Sequence, residues 1–263
     1  NFCLSGSSNP NTGWSSVVHH EYGHHLVSAG GSGQGQYGEG TGDVMSVIIL
    51  DDPDLGIGFF GSCGSALRTA VNNLTYPCAT DGHACAPLYS GAVWGTRNLL
   101  AITEPDDYQK LLMSWALNSI LVHSGTLITP QMTIDYLTLD DDDADIGNGT
   151  PHYFEIDGGF GAKNMPAPPL NLINIEPVAF PDFANPAGGT TISAEFTNVT
   201  GEFDPSTATL MVDTGSGFQA IPMSNAGGNN YEANLPSSDC GTQILFYIAG
   251  TSTSGITQTS PSD

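Results

Sequence analysis

The segment Met165-Pro-Ala-Pro-Pro-Leu170 constrains this chain more than any other, because its prolines fix φ, remove backbone donors and stop any helix that reaches them. The hydrophobic pattern differs on its two sides. Before it, apolar residues recur at helical spacing. After it, from about Asn171, they alternate in the short runs Ile192–Phe196, Thr209–Val212, Asn230–Leu235 and Gln243–Ile248, separated by Gly, Asn, Pro and Ser. Period-two runs bounded by turn residues predict strands. The expected class is therefore α+β and multidomain: a mostly helical domain over 1–164, a linker over 165–170, and an all-β sandwich over 171–263.

Within the first domain, the pattern predicts a helix over Trp14–Ser28, with Thr12 or Ser15 as its cap and Gly30-Gly31 at its end. A second helix is expected over Glu39–Leu50, halted by Asp51-Asp52-Pro53. Others are expected around Ser90–Ile102, Pro105–His123, Thr129–Leu139 and Pro151–Phe160.

Charge excludes several functions. With 4 Lys and Arg against 27 Asp and Glu, the net charge is −23. Phosphate backbones and anionic membrane surfaces are bound chiefly through Lys and Arg, so a nucleic-acid partner is excluded, and no apolar run is long enough to span a bilayer. The Gly-, Ser- and Thr-rich background with five cysteines points to an extracellular protein whose secretion signal is removed or lies outside this sequence. Cys78 and Cys85, around a short loop, form the expected local disulfide. Cys3 with Cys63 is the next pair, which leaves Cys240 alone.

Four of the seven histidines fall between His19 and His25, and among them stands His20-Glu21-Tyr22-Gly23-His24. Residues four apart share a helix face, so His20 and His24 can ligate one Zn²⁺ while Glu21 leans toward its open position. Zn²⁺ acidifies a bound water, and a neighbouring carboxylate can take its proton during attack on a carbonyl. The metzincin extension would need Gly at 27 and His at 30, where this chain has Val27 and Gly30. Downstream, Gly38-Glu39-Gly40-Thr41-Gly42-Asp43 opens the next helical stretch. Glu39 can complete a His₂Glu site, and Asp43, one turn later, can accept the second N–H of a ligand histidine.

The pair HEYGHH and GEGTGD resembles the gluzincin metallopeptidases, and among them the fungalysin-like group with HEYGH followed by GEGWSD; the thermolysin-like peptidases share the E-x-x-x-D arrangement. The resemblance implies a secreted zinc metalloendopeptidase with His20, His24 and Glu39 as ligands and Glu21 as general base. Asp43, the alternative ligand, would match the spacing of gluzincin aminopeptidases. The family also uses a later histidine to stabilise the oxyanion, and His83, upstream of Gly91-Ala-Val-Trp94, is the matching candidate, with Tyr89 behind it. The resembling families build a β-rich lobe before the zinc helix, whereas only nineteen residues precede His20 here, so a catalytic domain lacking most of that lobe is expected. The C-terminal strands resemble an immunoglobulin- or fibronectin-like module with an unidentified partner. A rival reading makes the whole chain a non-catalytic extracellular binding or adhesion module with a relic zinc site. The implied partner of the enzyme is a protein or peptide substrate.

Remaining polar features carry less. His152, at the start of the last helix, and His123 are expected to pack or cap. Asp140–Asp145 crowds five carboxylates into six positions; a solvated acidic loop is expected there, with Ca²⁺ as the alternative that would relieve the repulsion. Asn73, Asn148 and Asn198 are glycosylation sequons.

Overall fold

The chain divides into two units between Pro168 and Pro169, within the proline-rich segment. The structure, a computed structural model, describes residues 10–60, 64–78, 81–179 and 181–261. Its class is α+β, with helices and antiparallel sheets. No described helix is long and apolar enough to cross a membrane.

The first unit contains α1 (Ser15–Gly30), α2 (Gln36–Leu50), the short strands β1 (Asp54–Leu55) and β2 (Arg68–Thr69), then α3 (Gly82–Thr103), α4 (Tyr108–Val122), α5 (Gln131–Asp140) and α6 (Tyr153–Gly161). Helix α2 is central, packed against α1 on one side and α3 on another, and all but three of its residues are buried. Beneath it lies an aromatic core in which Tyr37, Tyr89, Tyr136 and Phe160 are fully buried.

The helix starts differ from expectation, three of them instructively. The N-cap position of α1 is Trp14, rather than Thr12 or Ser15, and its side chain makes no cap hydrogen bond; Gly31 closes the helix in the left-handed region at φ 85°. Helix α2 begins three residues before Glu39 because tertiary bonds hold its first turn: Tyr37 N–H donates to Thr126 O, and Gln36 Oε1 accepts from Ile128 N–H. Helix α3 begins at Gly82, well before Ser90, and runs through Pro87. Asp81 caps it by accepting from Ala84 N–H at 3.1 Å, and Asn72 Nδ2 donates to Pro87 O at 2.8 Å. Proline disfavours but does not forbid a helix once such contacts offset the lost bond. The consequence is that His83 sits in a helical first turn. The disulfide Cys78–Cys85 is formed and Cys240 is a free, exposed thiol. The expected Cys3–Cys63 pair lies outside the described residues.

The second unit is two four-stranded antiparallel sheets, β3-β4-β8-β7 and β10-β9-β5-β6, where β3 is Ile173–Ala179, β4 Thr191–Asn198, β5 Thr209–Asp213, β6 Gln219–Pro222, β7 Ser224–Gly227, β8 Asn230–Asn234, β9 Leu245–Thr251 and β10 Thr257–Ser260. One buried cluster joins residues of both sheets, including Ile192, Ala194 and Phe196 of β4, Leu210 and Val212 of β5, and Ile248 of β9. The four runs legible in the sequence became β4, β5, β8 and β9, the interior strands. The four edge strands escaped notice: every residue of β7 is exposed, and β3 alternates over Ile173–Glu176 but is then interrupted by Pro177 beside a register shift.

Candidate metal centre

Helices α1 and α2 meet at two glycines. A Cβ on Gly23 would stand 2.6 Å from Gly42 Cα, and a Cβ on Gly42 would stand 2.5 Å from His20 Nδ1. Backbone thus touches backbone at the middle of both motifs, and this contact carries the first turn of α2 to the histidine face of α1.

There His20, His24 and Glu39 converge, their ligand atoms all within 4.8 Å of one another. The two Nε2 atoms are 3.2 Å apart. Glu39 Oε2 lies 3.4 Å from His20 Nε2, and Glu39 Oε1 lies 3.4 Å from His24 Nε2. His20 is buried, His24 and Glu39 partly so.

Behind His20, Asp43 Oδ1 is 2.9 Å from Nδ1. A carboxylate can only accept, so the proton sits on Nδ1 and a neutral His20 turns a bare Nε2 toward Glu39. Asp43 is 1 % exposed and is held by Arg68, whose Nε donates to Oδ2 at 2.9 Å and whose Nη2 donates to Oδ1 at 2.8 Å. The same Nη2 is 3.4 Å from His20 Nδ1, too long to displace the carboxylate. Asp43 therefore lies on the Nδ1 side of the ring, away from the convergent Nε2 and carboxylate atoms.

These residues fit a cation. Two bare imidazole nitrogens and a carboxylate meet with no donor among them, and Glu39 Oε2 is buried without a hydrogen bond of good geometry, although His20 lies nearby. Nitrogen and oxygen ligands of this kind suit Zn²⁺. Without a cation, protons take its place. Burial would lower the His20 pKa, but the hydrogen bond to Asp43, the nearby Glu39 carboxylate and the charge of Asp43 outweigh it, raising it to about 9. Burial would raise that of Glu39, yet the close approach of His20 and His24 holds it well below the usual carboxylate range.

The other candidates fall as follows. Glu21 is exposed on α1 next to His20 and makes no hydrogen bond or ion pair among the described residues. His83, with its side chain 71 % exposed, places Nε2 3.3 Å from Glu39 Oε1, at the rim of the site. Tyr89 is fully buried and bonded to Tyr136 Oη at 3.0 Å, so it cannot polarise a substrate. His152 and His123 are structural: His152 Nδ1 is 2.7 Å from Asp140 Oδ1, and buried His123 pairs with Asp135 at 2.8 Å. Asp140 also accepts from Thr150 Oγ and His152 N–H, so it anchors the start of α6. Asp141, Asp142 and Asp143 bring ligand atoms within 4.8 Å of one another, a spacing that exposed acidic loops also adopt without an ion.

Two site residues escaped the sequence reading. Gln34 bonds the His24 ring, and Arg68 clamps Asp43. Arg68 had one legible signal: a base retained where the chain has only four is there to meet a particular acid. No protein-family model matches this sequence, and no curated protein matches it.

Proposed function

We propose that the protein is a secreted zinc metalloendopeptidase of the gluzincin type, with His20, His24 and Glu39 as ligands. The strongest support is the donor-free convergence of these three side chains, with Asp43 orienting one of them from behind. Zn²⁺ bound there would supply Lewis-acid polarisation of a peptide carbonyl and acidify a water molecule. Glu21, without a partner among the described residues and beside the ligands in sequence, takes the proton from the attacking water and delivers it to the departing amine. His83, at the rim beside Glu39, donates to the oxyanion as it develops. The second unit has the strand order of an immunoglobulin-type sandwich, with β6 added beside β5, and serves as the accessory module that tethers or presents the enzyme.

One observation favours a second reading. His83 is within 3.3 Å of Glu39, and as a fourth ligand it would close the site, as in structural zinc centres and in a non-catalytic adhesion module. The experiment that separates the two measures zinc stoichiometry and cleavage of casein and quenched peptides, with and without chelator. The enzyme reading expects Glu21→Gln to keep zinc and to lose about 10²–10⁴-fold in rate. Zinc bound without cleavage, unaltered by that substitution, would establish the closed site. Cleavage confined to free N-termini would make the protein an aminopeptidase.

A further inference from the structure

The two ligand histidines are oriented by different chemistry. His20 has a buried carboxylate; His24 has an amide from the turn between α1 and α2. Gln34 Oε1 lies 2.9 Å from His24 Nδ1, and Gln34 Nε2 donates to His24 O at 3.0 Å. The second bond settles the first. A main-chain carbonyl can only accept, so the NH₂ end of the amide must face it, and Oε1 must face the ring. Oε1 in turn can only accept, which puts the ring proton on Nδ1 and leaves Nε2 bare, 3.4 Å from Glu39 Oε1.

Although Gln34 is itself exposed, its turn is anchored from behind. Ser32 Oγ donates to Ile120 O and to His123 O, at the end of α4. Gly33 and Gly35 press on the 125–126 backbone, where a Cβ would stand 2.5 Å from Gly125 O and 2.9 Å from Thr126 O respectively. At position 38 a Cβ would stand 2.2 Å from Gln34 Oε1, so the glycine of the Gly38-Glu39 pair leaves the room the amide occupies.

We propose that Gln34 is a positioning residue that holds the His24 ring in its Nδ1–H form and aims Nε2 at the metal position. The ring assignment stands on hydrogen-bond geometry alone; its consequence for Zn²⁺ rests on the zinc reading above. Free imidazole side chains prefer the Nε2–H form, so the effect is measurable without metal.

The test follows the His24 ring nitrogens by ¹⁵N NMR in the metal-free full chain at alkaline pH, together with the zinc dissociation constant by chelator competition. Wild type and Gln34→Glu, which keeps an acceptor toward the ring, are expected to show Nδ1–H. Gln34→Met, similar in size but without either bond, is expected to revert to Nε2–H and to bind zinc about 10–100-fold more weakly. An Nε2–H ring in wild type, or an unchanged ring in Gln34→Met, overturns the proposal whatever zinc does. If the ring responds as expected but wild type binds no zinc, the positioning role stands and the zinc reading falls.

Discussion

Replacing Gly42 with Ala tests how the site is assembled. The added Cβ would stand 2.5 Å from His20 Nδ1, 2.7 Å from Cε1 and 2.9 Å from His20 O, on both the ring and the backbone of α1. Ordinary contact distances lie near 3.5 Å, so α2 must retreat by roughly 1 Å. Overpacking of this kind costs about 1–3 kcal/mol. Alanine's better helix propensity returns up to ~1 kcal/mol, leaving a net loss of about 1–2 kcal/mol. In a unit of this size that lowers the unfolding temperature by roughly 2–8 °C. The larger effect falls on the site. A 1 Å retreat breaks the 2.9 Å Asp43–His20 bond and spreads Glu39 from the imidazoles, and losing an orienting partner alone weakens metal binding about 10–100-fold. Calorimetry of the metal-free chain and zinc titration against a competing chelator read the two effects separately. A Gly42→Ala protein that matched wild type in both would refute the glycine-to-glycine crossing as the element that assembles the centre.

Two further outcomes follow from groups already described. With its pKa raised from 6.5 to about 9, protonated His20 stabilises the metal-free fold fully below pH 6.5, and that contribution is lost as pH rises through 9; denaturant titrations in chelator should show stability falling over this window, and a flat profile would count against the His20–Asp43–Glu39 arrangement. Over the same range zinc should bind more tightly as pH rises and release protons when it binds, which titration calorimetry in buffers of different ionisation heat will detect. Of the four basic side chains, only Lys110 is open, its side chain 87 % exposed, while Arg68 and Arg97 are held by Asp43 and Asp51 and Lys163 is buried. A trypsin-like protease should therefore nick the native chain after Lys110 or not at all; an early cut after Arg68 or Lys163, seen by mass spectrometry, would contradict their burial.

Legibility in the sequence tracked how local each interaction is. His20 and His24 were readable because a helix alone brings residues four apart onto one face. The interior strands were readable because one face of each is buried, which writes alternation into the residues. The edge strand β7 buries nothing and writes little, β3 is interrupted by Pro177, and the start of α3 was masked by Pro87, whose local preference yields to the contacts from Asp81 and Asn72. Gln34 carries no signal in the sequence and Arg68 none beyond the scarcity of bases, since their roles depend on partners on other elements.

Taken by itself, the sequence determined the division at the prolines, the helical and alternating halves, and a helix that presents two imidazoles with a carboxylate beside them. The sequence, through its resemblance, also named Glu39 for the ligand face and Asp43 for the position behind it; tertiary structure supplied the placement that sets them apart. Glu39 and Asp43 are both carboxylates one turn apart, equally suited by chemistry to either task. What distinguishes them is the crossing of α1 and α2 at Gly23 and Gly42, which sets Glu39 against the Nε2 side of the histidines and Asp43, clamped by Arg68, against Nδ1 of His20.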